Sequence, residues 1–222
     1  MSNFGFHSLR VVHPYEAGFR EARSAVGASA LLANAQEHSD VASAIGDATL
    51  VVGTTAVRHR HLHHSVRRLE EGAKLIRRRL RAGHVSLLFG SEKFGLSNED
   101  LSHCDWLIRI PTEEENISMN LGQAVAVCLY ELIREAKTPG APQKTALAAG
   151  AELERITGML GEALQLSGFL DRRQVADADQ RVRRLVRRLH LPRQDAVMWL
   201  GIFRQIVWKL RHPNGRNSQS DS

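Results

Sequence analysis

Four short apolar runs set the limits on the fold: residues 9–12, 48–52, 85–89 and 106–110. Each is too short for a helix, and each is mostly apolar, with at most one polar residue, instead of regularly alternating. Runs of that kind become parallel strands buried on both faces. Stretches of helical length lie around them, at 14–24, 38–46 and 64–81, with another at 120–136. Strands alternating with helices predict an α/β fold.

The alternation stops at Lys137, where two prolines and a glycine follow within a few residues. Such a stretch reads as a linker. Beyond it only helical periodicity remains, over 152–165, 175–189 and 195–210. The last segment carries Val197, Leu200, Phe203, Ile206, Val207 and Leu210 on one stripe, as a helix facing a core does. The expected division is an α/β domain over 1–137, a linker over 138–150, a small all-α domain over 151–212, and a polar, disordered tail over 213–222.

The chain carries a formal charge of +6 and a pI near 9.9. That balance favours a polyanionic partner such as RNA, though it also serves solubility. Cys104 and Cys128 sit in apolar runs, as buried thiols of a cytosolic protein do. His59, His61, His63 and His64 cluster without carboxylate or thiol company, so no metal is expected. No apolar run is long enough to span a membrane, and the first residues lack a signal-peptide layout. A cytoplasmic setting is the expectation.

Two segments carry chemistry. After the third run comes Phe89-Gly90-Ser91-Glu92-Lys93-Phe94-Gly95-Leu96-Ser97. Glycines after a buried parallel strand let a ligand approach the main chain, at the edge where α/β folds bind ligands. Ser97, with Asp100 three residues on, reads as a capping box. After the fourth run, Pro111 stops the strand. Ser118 and Asn120 then precede a helix, at its positive end, where they cap it or face a bound group. Taken singly, a turn and an ordinary cap account for each segment.

Taken together they resemble a known family. FGSEKFGLSNEDL at 89–101, IRIPT at 108–112 and ISMNLGQAVAVCLYEL at 117–132 resemble motifs two and three of the SpoU/TrmH (SPOUT) superfamily of RNA 2′-O-methyltransferases, most of all its TrmJ branch. The Gly53-Thr54-Thr55-Ala56 segment with Arg58 and Arg60, and the arginines of the C-terminal helices, resemble the same branch. The resemblance implies a SPOUT-type parallel sheet whose C-terminal segment threads a trefoil knot, followed by the small all-α domain. It implies S-adenosyl-L-methionine held by Thr54, Thr55, Ala56, Gly90, Glu92, Gly95, Ile110, Ser118, Met119 and Asn120. Ser118 and Asn120 would align the reacting groups. It also implies a homodimer and a tRNA anticodon-loop substrate. Arg58, Arg60, Arg172, Arg173, Arg181, Arg184 and Arg188 would contact RNA, whose phosphates need dense positive charge. A ribosomal RNA target, or an RNA-binding protein with impaired catalysis, is the alternative.

The family also uses an arginine in an Asn-x-Gly-x-x-x-Arg pattern that ends a first strand. That strand lies just before a segment like Met1-Ser2-Asn3-Phe4-Gly5-Phe6. The pattern is not found within the 222 residues. Two expectations follow: either the strand and its arginine belong upstream of Met1, or the protein lacks them and both sheet and catalysis are compromised.

Overall fold

The structure, a computed structural model, describes residues 1–14, 29–56, 64–113, 115, 117–134, 146–170 and 175–212. The four apolar runs are strands: β1 (Arg10–Val12), β3 (Ala48–Thr54), β5 (His84–Leu88) and β6 (Trp106–Arg109). Two further strands lie between them, β2 (Gln36–His38) and β4 (Val66–Arg68). All pairings are parallel. β1 and β2 form a two-stranded sheet, and the main sheet runs β4-β6-β3-β5. A salt bridge from Arg10 to Asp47 joins the small sheet to the start of β3; it holds the Asp47 carboxyl well below the usual range.

The main sheet is covered on both faces, as continuous apolar strands require. Leu50, Val52, Trp106 and Ile108 pack on α3 (Leu69–Leu80) and α5 (Leu121–Arg134) through Ala73, Ile76, Cys128 and Leu132. The intervening Val51 and Leu107 face the other way, against Leu96, Leu101 and Cys104 beside α4 (Asn98–Ser102). This is the two-residue alternation of a strand. Both cysteines are buried and free, and burial pushes each thiol up to about 12.

Local assignments differ at two places. Residues 38–46 form the end of β2 and a short α2 (Val41–Ala44), capped by the Asp40 side chain through Ser43 N at 2.7 Å. The segment 64–81 starts as β4, and the helix begins only at Leu69. β4 is exposed Val-Arg-Arg, which has no apolar pattern to announce it; pairing to β6 alone makes it a strand. The helix expected over 14–24 falls, apart from Pro14, outside the described residues. A short helix, α1 (Ser29–Ala33), precedes β2.

Helices α6 (Gly150–Leu166), α7 (Val175–Arg188) and α8 (Arg193–Arg211) enclose a separate core of Leu153, Ile156, Val182, Val186, Leu191, Ala196 and Phe203. The end of the expected linker is ordered against this unit. Leu147 bridges Pro192, and Ala148 N donates to Leu191 O at 2.9 Å. The expected stripe on α8 is only partly internal. Phe203 and Val207 are buried, whereas Val197, Ile206 and Leu210 are exposed. α8 packs against α6 along one side, and the rest of its surface faces outward.

Charged groups join the helical unit to the sheet unit. Arg183 donates to Glu154 Oε2 at 3.0 Å, to Glu99 Oε1 at 2.7 Å and to Ser102 Oγ at 2.9 Å. Arg187, only 1 % exposed, donates to Glu154 Oε1 at 3.4 Å and lies 4.0 Å from Asp105 Oδ2. Buried His103 places Nδ1 3.3 Å from Glu154 Oε1 without hydrogen-bond geometry. Burial raises the Glu154 carboxyl, but His103, Arg183 and Arg187 outweigh it and hold the group down to about 2. Asp105 is pushed up by burial, opposed by Arg187, and accepts from Val51 N at 2.7 Å.

Candidate functional site

Register brings the expected ligand-binding residues to one edge of the sheet. Thr54 stands opposite Ile108, and Gly53 opposite Leu88. The chain therefore leaves β3, β5 and β6 through Thr55-Ala56, Phe89-Gly90 and Ile110 at the same carboxyl edge. Thr54 Oγ1 donates to Leu88 O at 3.0 Å, and Thr55 N to Ile108 O at 3.0 Å. These bonds tie the three exits together.

The loop after β5 folds back on itself. Ser91 and Gly95 form an antiparallel bridge, and Gly95 takes φ +68°, which favours glycine. A Cβ on Gly90 would lie 2.0 Å from the Gly95 carbonyl carbon, so no side chain fits there. A Cβ on Gly95 would meet nothing within 4 Å; the space beside it is open. Ser97 and Asp100 then form the capping box of α4.

Glu92 and Asn120 are in direct contact. Asn120 Nδ2 donates to Glu92 Oε1 at 2.9 Å, and Leu121 N donates to the same oxygen at 3.1 Å. Asn120 Oδ1 accepts from Gly122 N at 2.9 Å and Gln123 N at 3.3 Å. Asn120 is thus the N-cap of α5, as its position predicts, and also a clasp between the two loops. The Glu92 carboxylate sits at the positive end of that helix. Ser118 is exposed, and its hydroxyl makes no hydrogen bond among the described residues. Thr55, Gly90, Ile110 and Met119 are half-buried, while Ala56, Glu92 and Gly95 are exposed. The arrangement is a partly apolar rim with one carboxylate and one unengaged hydroxyl.

The arginines divide. Arg58, Arg60, Arg172 and Arg173 lie outside the described residues, as do His59, His61 and His63. Arg181, Arg184 and Arg188 form one stripe on α7, three and four residues apart. Arg184 is lowered by burial and then by the neighbouring charges of Arg188 and Arg181. Arg183 and Arg187, part of the same basic run, are turned inward and engaged with Glu154. Leu185 of α7 and Leu189 just beyond its end are exposed, whereas Val186 is buried.

A second basic feature joins Arg78 and Arg79, of the arginine run closing α3, to residues far from them in sequence. A cavity of about 400 Å³ has Leu50, Leu75 and Trp106 as its floor and Arg67, Arg78, Arg79 and His190 as its wall. It lies towards the amino ends of the strands, and Arg67 stacks over Trp106 at 5.6 Å. The only advance signal was the arginine run closing α3, readable equally as dipole complement. Among the described residues no group of three His, Cys, Asp or Glu could hold a metal ion. No described helix is long and apolar enough to cross a membrane.

Comparison with known proteins agrees with this geometry. Residues 1–130 match the SpoU rRNA Methylase family. The tRNA (cytidine/uridine-2′-O-)-methyltransferase TrmJ of Sodalis glossinidius is 31% identical over 219 residues, 96% of this chain and 84% of that protein. The tRNA (cytidine-2′-O-)-methyltransferase TrmJ of Methanocaldococcus jannaschii is 38% identical over 136 residues, 60% of this chain and 58% of that protein. The crystal structure of TrmJ from Z. mobilis ZM4 superposes with a TM-score of 0.80 at 28% identity, over 93% of this chain and 89% of that one. A family match over more than half of the chain, joined to a relative aligned along nearly all of it, makes this protein a member of the SpoU methylase family.

Proposed function

We propose that the chain is an S-adenosyl-L-methionine-dependent tRNA 2′-O-ribose methyltransferase that acts on the anticodon loop and works as a homodimer, with its C-terminal sheet segment threaded as a trefoil knot. The observation that carries the reading is the clasp of Glu92 to Asn120, which assembles the two glycine- and asparagine-bearing loops at the carboxyl edge. The rim fits the cofactor. Half-buried Ile110 and Met119 suit an apolar purine, the peptide groups of Thr55 and Gly90 suit its polar parts, and the space beside Gly95 is open. Thr54 acts behind this rim by bonding to Leu88 O.

When bound, S-adenosyl-L-methionine supplies a methyl group on a good sulfonium leaving group. The protein must then orient a ribose hydroxyl in line and ease loss of its proton. Ser118 is the group free to hydrogen-bond that hydroxyl. Asn120 is a positioning residue, since its amide is committed to α5 and Glu92. Arg181, Arg184 and Arg188 repel one another in the free protein, and RNA phosphates would relieve that repulsion. The wall of Arg67, Arg78, Arg79 and His190 supports the same partner. The exposed apolar residues of α5, Leu121, Val127, Tyr130 and Ile133, support the homodimer.

The test is methyl transfer from labelled cofactor to purified tRNA by the protein as its gene encodes it, followed by nuclease digestion and mass spectrometry. A 2′-O-methylated anticodon-loop nucleoside is expected. Transfer to ribosomal RNA alone, or tight tRNA binding without product, overturns the proposal.

A further inference from the structure

Helix α8 has a second apolar stripe that nothing among the described residues covers. Asp195, Met198, Ile202, Ile206 and Lys209 follow one another in three- and four-residue steps and so share a face. Met198 is 67 % exposed, Ile202 43 % and Ile206 41 %. The buried side of the same helix is carried by Ala196, Phe203 and Val207. A helix that is apolar on two sides is ordinarily buried on both.

The charges on the stripe say what covers it. Asp195 and Lys209 each stand one heptad from Ile202, on opposite sides of it. Neither makes an ion pair among the described residues. The stripe has no net charge, so a polyanion gains nothing there. It is instead complementary to itself. Laid antiparallel on a copy of itself about a two-fold axis through Ile202, it sets Ile202 on Ile202, Met198 on Ile206 and Asp195 against Lys209. Each unlike pair occurs twice, as an isologous contact demands. Parallel pairing would oppose like charges and align the helix dipoles. We propose that α8 docks antiparallel on α8 of a second copy of this chain, with the axis at Ile202 and Asp195–Lys209 pairs closing both ends. The contact belongs to the helical unit, so it is separate from the α5 face and does not depend on the proposed chemistry.

An Ile202→Cys variant reads the axis directly. Cys104 and Cys128 are buried, which leaves the new thiol as the reactive one. With oxidised glutathione as electron acceptor, two such thiols lose two protons and two electrons to form one disulfide. Most of the chain should run as a covalent dimer, with the helical circular dichroism unchanged. Arg204→Cys, exposed but off the stripe, should stay monomeric on a denaturing gel. Adding Asp195→Lys to Ile202→Cys should slow cross-linking several-fold, and Asp195→Lys with Lys209→Asp should restore it. Cross-linking at 202 no faster than at 204 overturns the proposal, as does failure of the double charge reversal to restore it. A cysteine at 202 that stays monomeric and resists thiol reagents would mean that a segment of the same chain covers the stripe, which also overturns it.

Discussion

Replacing Glu154 by Gln tests whether the charge network fastens the helical unit to the sheet unit. The glutamine keeps the shape and removes the charge. It leaves Arg187, 1 % exposed, with only the more distant Asp105 carboxylate at 4.0 Å, and leaves Arg183 with Glu99 and Ser102 only. Two routes give the cost. The carboxyl is held at about 2 against an ordinary 4.5; at about 1.4 kcal/mol per pH unit, that is about 3 kcal/mol. Breaking a buried pair by removing one partner typically costs 3–5 kcal/mol, or about the same. With an m-value of about 2 kcal/mol per molar urea, the midpoint should fall by about 1.5 M at pH 7. The pH dependence has a definite sign. Because the folded-state value is depressed, the stabilisation is complete above about 4.5 and is lost as pH falls towards about 2. The gap between wild type and Glu154→Gln in urea titrations should therefore narrow across that window. A gap below about 0.5 kcal/mol at pH 7 would place the effect in the range of ordinary surface changes and refute the reasoning. So would a gap that stays constant down to the acid limit of folding.

Asn120→Ala should cost about 1 kcal/mol through the lost cap and loosen the 92–95 loop, seen as a lower thermal midpoint and weaker binding of S-adenosylhomocysteine by calorimetry. Gly90→Ala places a methyl against the Gly95 main chain, so cofactor binding should fall by tenfold or more while the helical unit keeps its amide protection. Replacing Arg181, Arg184 and Arg188 together by Gln should weaken tRNA binding and lower the slope of log affinity against log salt by about 2, measured by filter binding at several salt concentrations. Cys104 and Cys128, both raised to about 12 by burial, should not react with a disulfide reagent at pH 8 until the protein is unfolded.

The sequence by itself determined whatever depends on local periodicity and on short-range hydrogen bonding. An apolar strand covered on both faces is shorter than a buried helix, so residues 48–52, 85–89 and 106–110 were legible. Ser97 with Asp100, and Asn120 before its helix, were legible because a cap is satisfied within three residues. β4 was not, since an exposed Val-Arg-Arg becomes a strand only through the partner it pairs with. The same limit governed the site. The motif residues were named in advance, but the bond from Glu92 to Asn120 spans 28 residues and exists only because β5 and β6, on either side of β3, end at the same edge of the sheet. It also governed the basic run on α7. Arg181, Arg183, Arg184, Arg187 and Arg188 are alike in sequence. Tertiary packing alone decided that Arg183 and Arg187 meet Glu154, about thirty residues away, and that the other three stay outside that network. Charge acts through space, and spacing along the chain does not record which charges come within a few ångströms of each other.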